Sequence, residues 1–544
     1  MRYLILSFLF PAAFVCSAQS APDTWWVQFT DKAGTPYSID QPEAFLSQRA
    51  IQRRQIQGIA VDELDLPVDP AYIQTVLALG DVQLHNRSKW FNAITVRTND
   101  PAVLDAIAAL PFVLNVRGTR SLVGTPGVND KFAALGPLAD REYDYGDSFG
   151  QIAMMNGHLL HGMNAQGQGM LIGVLDSGFE GTDVIPGFDA LRARGGIVFT
   201  SDQVDHDGDV YQDHWHGRSV LSCMAAIVEG ALVGTAPLAD YVLVRTEDAA
   251  TEYLVEEDNW VSGAELCDSL GVDILNTSLG YTTFDDSLQD HSYLDLDGAT
   301  TRISIAAGIA SRKGMVPVIS AGNQGNSEWF HISAPADAID VLAVGATGAQ
   351  AQHAFFSSHG PSADGRVKPD VAAMGWGTTG IGPDGTGIQP INGTSFSAPL
   401  VAGLVACLWQ LHPQRSAQDI MDAVRRSASQ FNDPDIQLGY GIPDFQLADQ
   451  LLELTTSAHE RSSLIASVHP MPFIDGFTVL LPQVLEGSVV LELWDTSGRL
   501  VWSQRSTART ERITAQDQGL SRLSPGAYAL RLNGIPVGTV VKAQ

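Results

Sequence analysis

The segment MLIGVLDSGF, residues 170–179, decides the fold: a near-continuous apolar run ends abruptly in Asp-Ser-Gly. Such a run fits a strand buried on both faces, with an acidic side chain delivered where the strand emerges. Four more runs of the same kind follow, YVLVR (241–245), VDILNTS (272–278), VPVIS (316–320) and DVLAVG (340–345), separated by longer helix-like stretches. Apolar strands alternating with helices predict a parallel sheet covered on both faces, so residues 145–455 are expected to form an α/β domain of three layers, αβα. In such sheets functional groups gather at the carboxyl ends of the strands.

Upstream, strands are expected at 25–29, 82–85, 93–98 and 112–118, with helices at 70–80 and 101–109. Strand, helix, two strands, helix, strand is the ferredoxin-like order, and the block 19–135 is read as an α+β domain of that kind. A further helix is expected over 42–58, carrying the basic pair Arg53-Arg54. Downstream, TTSAHERSS (455–463) reads as a linker. Short alternating strands beyond it (477–481, 489–495, 499–504, 527–532), with turns at Ser497-Gly498 and Pro525-Gly526, predict a small β-sandwich over 462–544.

The chain has 544 residues, 45% of them hydrophobic and 17% charged, which suits several folded domains. Its 61 acidic against 32 basic residues give a net charge of −29, which disfavours nucleic acid as a partner. Arg2, an apolar run from Tyr3 to Val15 and the small residues Cys16-Ser17-Ala18 read as an export signal spanning 1–18; the apolar run is too short for a good membrane span. No transmembrane anchor is expected once the signal is removed. Three cysteines then remain, Cys223, Cys267 and Cys407, with no metal-ligand spacing; buried free thiols are expected, with a Cys223–Cys267 bridge as the alternative.

Four segments carry chemistry. Asp176 closes the strand 170–175, a place where acidic residues also serve ribose, metal or helix caps. His216 lies in DHWHGRSVLSCMAAI (213–227), where a loop runs into an apolar helix; His214 is its rival, but the order His-Gly-x-x-Val puts His216 in the first helical turn. Ser395 lies in NGTSFSAPLVAGLVACLWQLHP (392–413), a turn followed by a helix apolar on nearly all sides. At that helix start the unpaired amides and the dipole favour developing negative charge. Asn323, in VPVISAGNQGN (316–326), ends another buried strand. Each residue alone has a bland structural explanation; four of them at strand ends and helix starts facing one edge do not. Asp, His and Ser in that chain order are the arrangement of subtilisin, and an α/β-hydrolase would instead need a GxSxG elbow with acid and base after the serine.

The chain resembles the subtilases through VLDSGF (174–179), HGRSV (216–220), VGTAP (233–237), NTSLGY (276–281), SAGN (320–323) and GTSFSAP (393–399). It departs from them at Arg218-Ser219, where Thr-His is usual, and at Asp-Ser-Gly in place of Asp-Thr-Gly. The resemblance implies a secreted serine endopeptidase that needs no cofactor and acts on protein or peptide substrates. In it Asp176, His216 and Ser395 are catalytic, and Asn323 with the Ser395 amide forms the oxyanion hole. Ser278, Leu279 and Gly280 pair with extended substrate, and Ser320, Ala321 and Gly322 wall the primary pocket. The block 19–135 is similar to a subtilase propeptide, which would be a partner of the mature enzyme. The tail, through SVHPMPFIDGFTV, LWDTSGRLV, LSPGAYAL and VGTVVKAQ, resembles the sorting domain of type IX secretion and implies the secretion machinery as a partner. The acidic loop DQVDHDGDVYQD (202–213) offers Asp205, Asp207 and Asp209 as alternating oxygen ligands for calcium.

Overall fold

The structure, a computed structural model, describes residues 22–121, 143–462, 467–485, 488–495, 499–507, 510–532 and 535–543. The expected signal at 1–18, the end of the block 19–135 and the turn at Ser497-Gly498 lie outside the described residues. The chain divides into two compact units, Met1–Ala448 and Asp449–Gln544.

The first unit opens with a four-stranded antiparallel sheet of β1 (Pro22–Phe29), β2 (Gln83–Ser88), β3 (Ala93–Arg97) and β4 (Val113–Ser121), in the order β2-β3-β1-β4. Two of its helices, α2 (Pro70–Leu77) and α3 (Pro101–Ala108), start the same way. An aspartate, Asp69 or Asp100, accepts a hydrogen bond from the amide two residues on, and proline follows it at the first helical position. Proline has no amide to waste there and its φ is already helical. Val27, Ile73, Val76, Ile94, Val96 and Ile107 fill the core beneath. The helix expected over 42–58 is instead a short turn, Pro42–Ala44, and α1 (Gln48–Gln57): Ser47 caps α1 by accepting from Ala50 N, and Gly58 ends it at φ 68°.

The central sheet has seven strands, β5 (Leu171–Asp176), β6 (Ile197–Asp202), β7 (Asp240–Arg245), β8 (Ile274–Thr277), β9 (Val316–Ser320), β10 (Leu342–Thr347) and β11 (Val371–Met374). They run parallel in the order β11-β10-β9-β8-β5-β7-β6. Four helices pack in pairs beside it: α5 (Val255–Leu270) with α6 (Arg302–Arg312), and α4 (His216–Ala225) with α7 (Thr394–Leu411). Leu175, Val244, Leu275 and Ile319 join Trp260 and Ala264 of α5 and Ala306 of α6 in one core. The alternate residues Val174, Leu243, Ile274 and Val318 are equally buried and point to the other face, because successive strand side chains alternate. That alternation between two covered faces is what the continuous apolar runs encode. β6 and β11 were not expected: β6 is an edge strand exposing Val198 and Phe199, and β11 is the four residues VAAM, poor in β-branched side chains. α7 is long and apolar enough to cross a membrane, yet it is a buried core helix. All three described cysteines are free and buried, so Cys223 and Cys267 do not pair.

The N-terminal block is held to α5 by charge. Arg53 Nη2 meets Asp268 Oδ1 at 2.6 Å, Arg54 Nη2 meets Asp65 and Asp268 at 2.6 and 2.8 Å, and Lys89 Nζ meets Asp268 Oδ2 at 2.9 Å. Burial opposes ionisation of Asp268, but Lys89, Arg53 and Arg54 override it and hold the carboxyl well below the usual carboxylate range. Glu265, one turn earlier, accepts from the Lys89 and Trp90 amides and the Ser88 hydroxyl at 2.6, 3.0 and 2.6 Å.

The second unit has two antiparallel sheets. One contains Ser467–His469, Gly476–Leu485 and Thr510–Gln516; the other contains Leu500–Thr507, Ser488–Trp494, Gly526–Leu532 and Ile535–Lys542. Phe477, Val479 and Ile513 of the first share a core with Leu491, Leu493 and Leu530 of the second. The stretch 455–462, read as linker, is instead the end of a helix, Phe445–Ser462; Ala458, Glu460 and Arg461 are strong helix formers that continue the helix from FQLADQLLEL.

Candidate active site

Asp176 ends β5, fully buried, with its carbonyl accepting from Thr246 N at 2.9 Å. His216 is the first residue of α4, and its Nδ1 lies 2.7 Å from Asp176 Oδ1. An ionised carboxylate only accepts, so Nδ1 carries the proton and Nε2 is left as the basic nitrogen. Two glycines make this meeting possible. A Cβ on Gly217 would stand 2.4 Å from Gly178 O and 2.8 Å from Asp176 Cβ, and one on Gly178, at φ 144°, would stand 2.6 Å from His214 N. The start of α4 therefore abuts the end of β5 closely enough for the two side chains to bond.

Ser395 is the second residue of α7, which begins at Thr394 after Gly393 (φ 145°). Pro399 stands four residues on and has no amide to give to Ser395 O. Ser278 Oγ donates to that oxygen instead, at 2.8 Å, and Ser395 Oγ donates to Ser278 O at 3.2 Å. The next residue, Phe396, packs its ring 5.6 Å from the imidazole of His216. Thus Asp176 and His216 are bonded directly, and Ser395 is one residue from the side chain that covers the imidazole.

Asn323 follows β9. Its Oδ1 accepts from Thr394 N at 2.9 Å and from Thr394 Oγ1 at 3.0 Å. With its oxygen turned to the start of α7, the donor end of the amide faces away from Thr394. Ser278, Leu279 and Gly280 come directly after β8, and Ser320, Ala321 and Gly322 at the end of the neighbouring β9. Ser320 Oγ reaches Leu279 O at 3.4 Å, and Gly322 N donates to Thr394 Oγ1 at 3.2 Å. The six residues expected to hold substrate thus lie just beyond or at the ends of two adjacent parallel strands.

The three calcium candidates each have a partner within the protein. Asp205 Oδ2 is 2.8 Å from Arg245 Nη1, Asp207 Oδ1 accepts from Asp209 N at 2.9 Å, and Asp209 Oδ1 accepts from Tyr211 N at 2.8 Å. One oxygen of each thus meets an arginine or an amide of its own loop, and among the described residues the three do not fall within the spacing of a shared ligand set. Among the described residues the acidic side chains that do converge are Glu247, Glu252 and Glu256.

Three features escaped the sequence. Thr394 fixes Asn323. Arg218 is buried and donates to Glu180 O at 2.7 Å, Gly382 O at 2.9 Å and Pro383 O at 2.7 Å, clipping the loop after β5 to the turn of the hairpin Trp376–Ile381/Ile388–Asn392. Ser177 Oγ bridges Asp176 Oδ1, at 3.2 Å, and His214 Nδ1, at 2.8 Å. The His-x-His spacing at 214–216 was the visible sign of the last.

A protein-family model described as the subtilase family matches residues 167–441, which is half of the chain. The chain belongs to the subtilase family. A second model, the peptidase S8 propeptide domain of Bacteroidota, matches residues 24–131. Similar proteins include subtilisin E of Bacillus subtilis (strain 168), 28% identical over 303 residues, which are 55% of this chain and 70% of that protein. Subtilisin of Bacillus pumilus is 27% identical over 303 residues, 55% of this chain and 98% of that protein. This subtilase is a serine-type endopeptidase made with a propeptide domain.

Proposed function

We propose that Ser395 attacks the peptide carbonyl, His216 takes its proton and later gives it to the leaving amine, and Asp176 orients the imidazole and stabilises its cation. The observation that carries this reading is the buried 2.7 Å bond between Asp176 and His216 beside the start of α7. For attack, the Ser395 hydroxyl turns from Ser278 O toward His216. Asn323 Nδ2 and the Ser395 amide then receive the oxyanion, Ser278–Gly280 pair with extended substrate, and Ser320–Gly322 wall the primary pocket.

The domain limits belong to the same proposal: an export signal at 1–18, a ferredoxin-like propeptide at 19–135, a peptidase domain at 145–455, and a C-terminal β-sandwich at 462–544 that addresses the enzyme to type IX secretion. The sheet order β2-β3-β1-β4 and the core shared by the two C-terminal sheets support the two fold readings. The test is casein digestion and self-processing by the chain lacking residues 1–18, alongside Ser395→Ala, Asp176→Asn and Asn323→Ala. Asn323→Ala should lower turnover on the order of 100 to 1,000-fold, the magnitude known for this donor in subtilisin itself, with KM little changed. A Ser395→Ala chain that still digests casein would overturn the assignment.

A further inference from the structure

We propose that His214 is a positioning residue for the active-site aspartate, acting through the hydroxyl of Ser177 so that the charge on His214 sets how many hydrogen bonds Asp176 receives. The inference rests on the triad reading above.

Asp176 Oδ1 accepts from His216 Nδ1 at 2.7 Å and from Ser177 N at 2.8 Å. The Ser177 hydroxyl has one proton and stands between two acceptors, Asp176 Oδ1 at 3.2 Å and His214 Nδ1 at 2.8 Å. When His214 Nδ1 carries a lone pair, the shorter contact claims that proton and Oδ1 keeps two donors. When His214 is an imidazolium, Nδ1–H donates to Ser177 Oγ, and the hydroxyl proton turns to Oδ1 as a third donor. A carboxylate with more donors is less basic and supports the His216 cation less. The direct effect has the same sign, since the two imidazoles are stacked with centroids 6.4 Å apart and a cation on one disfavours a cation on the other.

Titratable and charged groups flank His214. Asp176 and His216 lie on one side. Asp213, next in the chain, has its carboxylate 3.4 Å from Arg245 Nη1, and Glu180, whose amide donates to His214 O, has its carboxylate 3.5 Å from Arg218 Nη1. Both carboxylates thus have arginine partners. His214 itself is half-buried, so solvent protons reach it.

The experiment uses the processed enzyme from the full chain and a fluorophosphonate probe, following the second-order labelling rate from about pH 5 to about pH 10, the range that spans imidazole titration. His214→Gln keeps a neutral hydrogen-bonding side chain that cannot titrate. At high pH its labelling rate should match wild type within about threefold, while the apparent pKa of its acid limb rises by about 0.5 to 1 unit, as expected for removing a charge at this separation in a partly solvated site. In a Ser177→Ala background the His214→Gln shift should shrink to less than half, leaving the through-space part. A superimposable acid limb in wild type and His214→Gln overturns the proposal. So does a full-sized shift in the Ser177→Ala background, which assigns the coupling to the rings alone. Failure of the underlying triad reading is distinguishable, because it would appear as labelling of the Ser395→Ala chain before any His214 variant is made.

Discussion

Substituting Gly217 by alanine separates geometry from chemistry at this site. The added Cβ would lie 2.4 Å from Gly178 O and 2.8 Å from Asp176 Cβ, against about 3.4 Å for ordinary contact, so α4 must withdraw from β5 by about 1 Å. Both neighbours are fixed: one is backbone, and the other is the first carbon of a buried side chain. A retreat of that size stretches the 2.7 Å bond between His216 Nδ1 and Asp176 Oδ1 beyond hydrogen-bonding distance. No catalytic atom is removed. A displacement of this order costs about 100-fold in rate, whereas overpacking costs about 1 to 3 kcal/mol of stability, which leaves a large domain folded. The assay is the labelling rate by a fluorophosphonate, measured beside the thermal unfolding midpoint. A Gly217→Ala enzyme that labels within about threefold of wild type would refute the claim that this glycine sets the Asp176–His216 distance.

Asp268→Ala leaves Arg53, Arg54 and Lys89 buried against a missing carboxylate, and urea unfolding of the Ser395→Ala chain should register a loss of about 3 to 5 kcal/mol; less than about 1 kcal/mol would mean the cluster is solvated. His85, buried against Asn259 of α5, has its pKa pulled down to about 3 by burial, from 6.5. The folded form therefore disfavours its protonation, so wild type should lose stability relative to His85→Gln as pH falls from about 6.5 toward 3; parallel profiles of the two proteins would contradict this. Arg218→Ala removes the clip between Glu180 and the Gly382–Pro383 turn, and proteolysis within 382–387 should accelerate at least tenfold; an unchanged cleavage rate would show that the hairpin holds the turn by itself.

Much of the central domain was legible because its strands are buried on both faces and so spell continuous apolar words, as in β5, β8 and β9. A strand terminus delivers the side chains that follow it to a fixed edge, which makes Asp176 and Asn323 candidates on sequence alone. β6 escaped because an edge strand has one wet face, and β11 because four residues with two alanines carry no period. The split in the helix over 42–58 was written in Ser47, a capping residue read as helix interior. Long-range pairing outside the four candidate segments was not legible. Nothing local tells that Arg54 will meet Asp268, 214 residues away, or that Asp205 will meet Arg245. The bridge from Asp176 through Ser177 to His214 is of the same kind, since it exists only once Gly178 lets the loop before α4 close on the end of β5.

The central claim is that Ser395 is the nucleophile activated by His216 and Asp176. Its most direct measurement is peptide mapping by mass spectrometry of the enzyme after fluorophosphonate labelling. The account predicts one adduct, on the Ser395 hydroxyl, whose formation slows by at least 100-fold in His216→Ala. An adduct on Ser397 or any other serine, or labelling at an undiminished rate without His216, would contradict it.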